Sequence, residues 1–364
     1  MEETSAQIRR VLSLKCASAG VPVSGIFELT PRCNLKCRMC YVRMTPEEMA
    51  PIGRERTAKE WLELARQARE AGLIFLLLTG GEPTLRTDFP EIYEGLSQMG
   101  LSISINSNGT LFQREVREVL HRYPPAQVNV TLYGVSGEDY RELCGDSKAY
   151  DRMVNTLDWL RDEGILTHLN ATMIPTNLQR WRLFEEFAGE RELELRMTTY
   201  CFPPMRRGEG KGYERLPAEV AGELAVRDMC YREGEEAVRR RAAELAQPLL
   251  NSCKLDLGDP VQCMAGHSQF WVNWNGTMVP CGMLNSPASC PFEEGFLQSW
   301  EKLREMTAKI RLCPDCVTCP EKNTCMNCAA VTYTETGSFD GRPEYMCAMN
   351  RAYREALAMY ANQS

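Results

Sequence analysis

An α/β protein built on an open, TIM-like (β/α)6 partial barrel is what this sequence predicts, with a cysteine-rich C-terminal part attached. Three observations lead there. Short apolar runs alternate six times with amphipathic segments before residue 202, a rhythm that implies a parallel sheet with right-handed crossovers. Six strands cannot close as the eight of a full barrel do. The rhythm then breaks, and most of the 17 cysteines fall in two short-spaced groups, one on either side of the break. At 364 residues with 44% hydrophobic content, the chain can bury a large core and more than one domain.

The elements follow from residue chemistry. Ile8, Val11, Leu12 and Leu14 among polar positions predict a helix over 5–19 that covers the barrel's bottom or side. Strands are expected at 25–30, 74–79, 101–106, 128–134, 168–174 and 194–200. Helices are expected at 58–71, 88–99, 113–122, 147–163 and 177–187. Residues 1–202 form the barrel, and 203–250 form an insertion that opens with the basic loop Arg206–Gly212 and continues as a helix over 221–246. Residues 251–364 form the last domain, ending in a helix over 351–360. The net charge of −7 argues against nucleic acid or an anionic membrane surface as partner. No apolar run reaches membrane-spanning length and the start is no signal peptide, so a cytoplasmic protein is expected, and cysteines there point to metal rather than disulfides.

The first cysteine group is Cys33-Asn34-Leu35-Lys36-Cys37-Arg38-Met39-Cys40, on a loop after the first strand. Three thiolates leave one iron of a [4Fe–4S] cube open, although by chemistry alone they also fit half of a zinc site. One β–α unit later the second strand ends in Gly80-Gly81-Glu82-Pro83. Together these resemble the signature of the radical S-adenosylmethionine (SAM) enzymes. The resemblance implies that the open iron binds SAM through its amino and carboxylate groups and that SAM is cleaved to a 5′-deoxyadenosyl radical. It also implies that Gly80, Gly81, Glu82 and Pro83 contact the SAM amino group. The glycines would let backbone approach the ligand, and Glu82 would accept from the ammonium. Asn106 and Ser107 at the third strand's end and Thr131 on the fourth are similar to polar strand ends that face SAM in relatives. Tyr133 stands where many relatives have a carboxylate. His121 and His168 carry no motif and read as surface or satisfied histidines. Cys16, Cys144, Cys201 and Cys230 read as packing residues.

In the last domain, Cys263 and Cys281 flank a hairpin signal at Asn275-Gly276. Cys316, Cys319, Cys325 and Cys328 form a ladder, and Cys347 closes it. This resembles the seven-cysteine pattern of the SPASM domain, with the last ladder step one residue short. The resemblance implies two auxiliary [4Fe–4S] clusters. Cys253, Cys263, Cys281 and Cys328 would hold the nearer and Cys316, Cys319, Cys325 and Cys347 the farther, with Cys290 and Cys313 competing with Cys253 for the eighth ligand. Zinc knuckles are the alternative by geometry. The expected function is maturation of a ribosomally made peptide: hydrogen is abstracted and a crosslinked or oxidised residue forms, with flavodoxin or ferredoxin as electron donor. An enzyme of small-molecule metabolism and a sulfatase-type maturase are the alternatives. The latter places an aspartate after the hairpin's second cysteine, where this chain has Gly282. With only 32 residues before Cys33, recognition of a leader peptide is expected to fall to a separate partner or to the 203–250 insertion.

Overall fold

A computed structural model describes residues 2–204, 213–246, 263–321 and 324–361; Cys253 and the Arg206–Gly212 loop lie outside the described residues. The six expected strands form: β1 (Ser24–Glu28), β2 (Phe75–Thr79), β3 (Ser102–Ser107), β4 (Gln127–Thr131), β5 (Thr167–Thr172) and β6 (Glu194–Thr198). Each pairs in parallel with the next. Along β3 and β4 the apolar residues Ile103, Ile105, Val128 and Val130 are buried, while Ser104, Asn106, Gln127, Asn129 and Thr131 between them are half-exposed. Strand alternation thus sends the apolar set to the helices and the polar set to the concave lumen.

The sheet continues past β1. Strand β7 (Gln269–Val272), from the cysteine-rich part, adds in parallel with Gly25 opposite Phe270. Strand β8 (Met278–Val279) returns antiparallel to β7. The order is β6-β5-β4-β3-β2-β1-β7-β8, an open sheet. The Asn275-Gly276 turn forms as its residues dictate, with Gly276 at φ +93° and Asn273 N–H donating to the Thr277 carbonyl at 2.8 Å. One apolar core serves both parts. Phe27 meets Trp61 of the helix Ala58–Glu70 at 4.8 Å between ring centres, and Phe270 meets Phe296 of the helix Phe296–Thr307 at 4.9 Å. Burying rings of this size contributes about 1.5–3 kcal/mol each, so the C-terminal part is fused to the barrel rather than tethered to it.

Four expectations for the helices are corrected. The first helix, Glu2–Ala19, leaves Ile8, Val11 and Leu14 exposed, so those positions do not pack on the barrel. The insertion is two helices, Ala218–Glu233 and Glu235–Ala246, broken at Gly234 with φ +83°. An unforeseen helix, Gly137–Cys144, stands between β4 and the helix Lys148–Asp162, started by Ser136 and ended by left-handed Gly145. The last helix is longer than expected, Glu344–Ala361, and lies on Ala218–Glu233 so closely that a Cβ on Gly222 would sit 2.3 Å from the Met349 carbonyl oxygen.

Candidate active site

The cysteine loop leaves β1 and is held from two sides. Lys36 N–H donates to the Cys144 carbonyl at 2.9 Å and Arg38 N–H to that of Leu143 at 3.2 Å, which pins the middle of the loop to the end of the helix Gly137–Cys144. On the other side Gly81 and Glu82 donate to the carbonyls of Thr30 and Arg32 at 2.7 and 2.9 Å. Here the two glycines find their reason: a Cβ on Gly80 would lie 2.3 Å from the Thr30 carbonyl oxygen, and one on Gly81 2.3 Å from that of Arg32. Two backbone segments meet here and leave no room for a side chain at either position.

Glu82 is held by the ends of β2 and β3. Its side chain has no exposed surface and accepts four hydrogen bonds, from Thr84 N–H at 3.1 Å, Thr84 Oγ1 at 2.6 Å, Ser107 Oγ at 2.8 Å and Asn108 N–H at 2.7 Å. The carboxylate therefore ties the end of β2 to the end of β3. Burial raises its pKa while those donors oppose the rise. Pro83 is buried at the start of the same turn, and Ser107 spends its hydroxyl on Glu82. Asn106 and Thr131 remain on the lumen face, half-exposed.

Donors converge on the sulfurs. Cys33 Sγ accepts from Leu35 N–H at 3.4 Å and Asn108 Nδ2 at 3.6 Å, and Cys40 Sγ from Arg43 N–H at 3.2 Å. Hydrogen bonds from the Cys144 thiol and the Tyr133 hydroxyl hold Cys37 below the usual thiol range. Burial, reinforced by Glu82, pushes Cys33 up to about 12. A thiol held protonated by burial becomes a thiolate when a cation compensates it, so this loop suits a metal centre better than free thiols. Cys144 lies more than a hundred residues beyond Cys40, and no spacing rule signals it. Tyr133, which stands where many relatives have a carboxylate, bonds Cys37.

The ladder is also brought together. Cys316 is pushed up to about 12 by burial, with Cys313, Cys347 and Cys325 adding to the rise, and Cys325 is raised by burial with Cys347 and Cys319 contributing. Asn327 Nδ2 donates to Cys316 Sγ at 3.6 Å. Cys313, a competitor for the eighth ligand, stands with this farther group. For the nearer group, Cys281 packs on Ala265 and Ala329, close neighbours in sequence of Cys263 and Cys328. Met283 N–H donates to Cys281 Sγ and Val331 N–H to Cys328 Sγ, both at 3.5 Å. Cys290 begins the helix Pro291–Glu294 beside Lys302. A Cβ on Gly282 would lie 2.6 Å from the indole of Trp271, whose Nε1–H donates to the buried carboxylate of Glu28 at 3.2 Å. The indole thus occupies the space a larger residue at 282 would need. Among the described residues, no three Cys, His, Asp or Glu side chains converge on a single-ion site.

The lumen holds a feature that the sequence did not announce. Asn106, Asn129, His168 and Glu194 lie opposite one another across β3, β4, β5 and β6. Asn129 Nδ2 donates to Asn106 Oδ1 at 2.8 Å, Gln127 Nε2 bonds Asn129 Oδ1 and lies 2.9 Å from His168 Nδ1, and His168 Nε2 lies 3.3 Å from Glu194 Oε2. His168 is buried and satisfied, and His121 is an exposed partner of Glu163, as their lack of motif suggested.

Residues 27–188 match the model of the Radical SAM superfamily. An AdoMet-dependent heme synthase of Methanosarcina barkeri is 26% identical over 331 residues, 86% of this chain and 93% of that protein. A PqqA peptide cyclase of Bradyrhizobium diazoefficiens is 25% identical over 280 residues, 75% of this chain and 70% of that one. In structure the chain is similar to Streptococcus suis SuiB bound to its precursor peptide SuiA, with a TM-score of 0.68 at 18% identity, covering 95% of this chain and 81% of SuiB. No helix among the described residues is long and apolar enough to cross a membrane. The matched stretch takes in the cysteine loop, the Gly80-Gly81-Glu82-Pro83 turn and strands β2 to β5, so this part of the chain is similar to the radical SAM superfamily, whose cofactors are a [4Fe–4S] cluster and SAM.

Proposed function

We propose that the protein is a radical SAM peptide maturase. When bound, the cluster at Cys33, Cys37 and Cys40 with SAM supplies a 5′-deoxyadenosyl radical. The chain's own part is to hold one C–H bond of a peptide against it and to keep water out. The observation that carries the reading is the welding of the cysteine-rich part onto β1 through β7. It joins the stretch between Cys263 and Cys281 to the sheet that carries the radical loop, which supports two further clusters, held by Cys263, Cys281 and Cys328 with Cys253, and by Cys316, Cys319, Cys325 and Cys347. Similarity to a peptide cyclase and to a fold solved with a precursor peptide supports a peptide substrate. Gly282 behind Trp271 offers no proton acceptor, which disfavours a sulfatase-type reaction. Recognition would fall to a leader-binding partner or to the insertion, and electrons would come from flavodoxin or ferredoxin.

Similarity to a heme synthase over 93% of that protein favours a second reading, action on a small heme precursor. One experiment separates the two. Reduced enzyme and SAM are incubated with deuterated peptides encoded beside the gene and, separately, with a deuterated heme precursor. Deuterium in 5′-deoxyadenosine from the peptide alone supports the proposal; deuterium from the precursor alone overturns it. Three cubes correspond to about twelve irons. Replacing Cys33, Cys37 and Cys40 by Ala should remove about a third of them and abolish 5′-deoxyadenosine.

A further inference from the structure

We propose that His168 is a positioning residue: paired with Glu194, it sets through Gln127 and Asn129 whether the Asn106 amide presents its donor or its acceptor to SAM. The inference rests on the proposed placement of SAM over the strand ends, where Asn106 lies.

The hydrogen bonds form a chain with a direction. Gln127 Nε2, an amide nitrogen that can only donate, lies 2.9 Å from His168 Nδ1. The ring must therefore be neutral with its proton on Nε2, 3.3 Å from Glu194 Oε2. The other Nε2 hydrogen of Gln127 goes to Asn129 Oδ1, which turns the Asn129 amino group to Asn106 Oδ1 at 2.8 Å. Asn106 is left with its Nδ2 hydrogens as the group to offer. Each amide is oriented by the one before it, and the imidazole is the only member of the chain that changes protonation.

If Nδ1 gains a proton it becomes a donor facing a donor. The repulsion is relieved when Gln127 flips, then Asn129, then Asn106, and the last amide then presents its carbonyl oxygen. A ligand acceptor held by the Asn106 amino group would meet an acceptor instead. The charged groups around the ring are Glu194 and Arg196 on β6, with Arg196 Nε bonded to Glu194 Oε1 at 2.8 Å, and Arg232 on the insertion helix, which acts on Glu194. Both arginines help to hold the Glu194 carboxyl below the usual carboxylate range.

The test is SAM binding to the cluster-loaded enzyme at about pH 5.5 and about pH 8, the span in which an imidazole titrates. Wild-type affinity should fall roughly ten-fold at the lower pH, the scale of one hydrogen bond reversed. His168→Gln can accept from Gln127 and donate to Glu194 at any pH, so it should hold the high-pH affinity at both. Asn129→Leu cuts the chain and should also bind without pH dependence. Equal pH slopes in wild type and His168→Gln would overturn the proposal. A measurement that needs no variant is the imidazole ¹⁵N spectrum of the full-length chain, which has three histidines to assign. A neutral His168 protonated on Nε2 at pH 8 supports the relay, and protonation on Nδ1 overturns it. If wild type binds no SAM at either pH, the proposed placement of SAM is overturned, and the tautomer alone decides for or against the relay.

Discussion

The two cysteine regions reach comparable chemistry by opposite means. Around Cys33, Cys37 and Cys40 the loop is fixed by backbone hydrogen bonds to Cys144 and Leu143, by glycines under carbonyl oxygens, and by a buried Glu82 with four donors. Protein alone shapes that site. Among its described residues the ladder from Cys313 to Cys328 has one short helix, Pro314–Thr318, and the Cys316 and Cys325 thiols are raised by burial and by neighbouring cysteines. Such a region would gain most of its order from a cation that relieves the thiols, so on the proposed function folding and metal binding should be coupled there and nearly independent at the loop.

The largest expected effect breaks the comparison at its firmest point. Gly81→Ala places a methyl 2.3 Å from one backbone carbonyl oxygen and 2.8 Å from another, neither of which can swing aside. It should cost about 3 kcal/mol in denaturant unfolding and lower iron by about one cube. The control is Gly337→Ala, near the ladder, where a Cβ meets nothing within 4 Å and only φ +77° is strained. That substitution should cost about 1 kcal/mol with iron unchanged. Equal losses would show that the two regions are fixed alike. Metal removal sharpens the contrast from the other side. After iron is chelated, limited proteolysis should cut between 313 and 328 well before any site in 24–131; cleavage in the loop around Cys37 at the same rate would remove the distinction.

What the sequence made legible follows the same division. Local patterning located all six barrel strands and the Asn275-Gly276 turn, because apolar runs and turn residues act over a few positions. It did not reveal that β7 would pair with β1, since strands more than 240 residues apart carry no mark of their neighbour. The backbone crowding at Gly80 and Gly81 and the four donors on Glu82 were not legible, because a motif names a contact but not the packing beneath it. Cys144 and Tyr133 were passed over for the same reason: their importance lies in touching Cys37, a fact of topology. His168 showed no motif because the role proposed for it depends on a row of side chains assembled across four strands.

A smaller effect tests the joint between the regions. Glu335 accepts from Arg215 at 2.6 Å and from Tyr200 at 2.7 Å, while Arg215 lies 3.9 Å above the ring of Tyr345. Barrel end, insertion and C-terminal helix thus share one buried carboxylate. Glu335→Gln should cost about 2 kcal/mol, the scale of a hydrogen bond to a charged group. It should also speed amide exchange in both the Ala329–Thr336 helix and the segment around Tyr200. Faster exchange on one side alone would mean that the joint does not couple them.

The smallest effect is a dependence on pH. Glu185, on the barrel helix Trp181–Gly189, is buried against Asp228 of the insertion helix Ala218–Glu233, where Arg232 holds Asp228 at 2.9 Å. Burial, and then the hydrogen bond to Asp228, raise the Glu185 pKa from 4.5 to about 7. The folded state therefore keeps a proton that the unfolded chain has released. The stability this contact contributes is complete below pH 4.5 and is lost as pH rises through about 7. The insertion helix carries the helix Glu344–Ala361, and with it Cys347, so loosening at Glu185 should reach the ladder and spare the radical loop. Between pH 5.5 and 8, amide exchange corrected for intrinsic rates should quicken in 218–233 and 344–361 and stay level in β1 and β2. Glu185→Gln, which keeps the hydrogen bond without titrating, should abolish that change. If the variant retains it, or if β1 responds equally, the carboxyl pair is not what couples pH to the ladder.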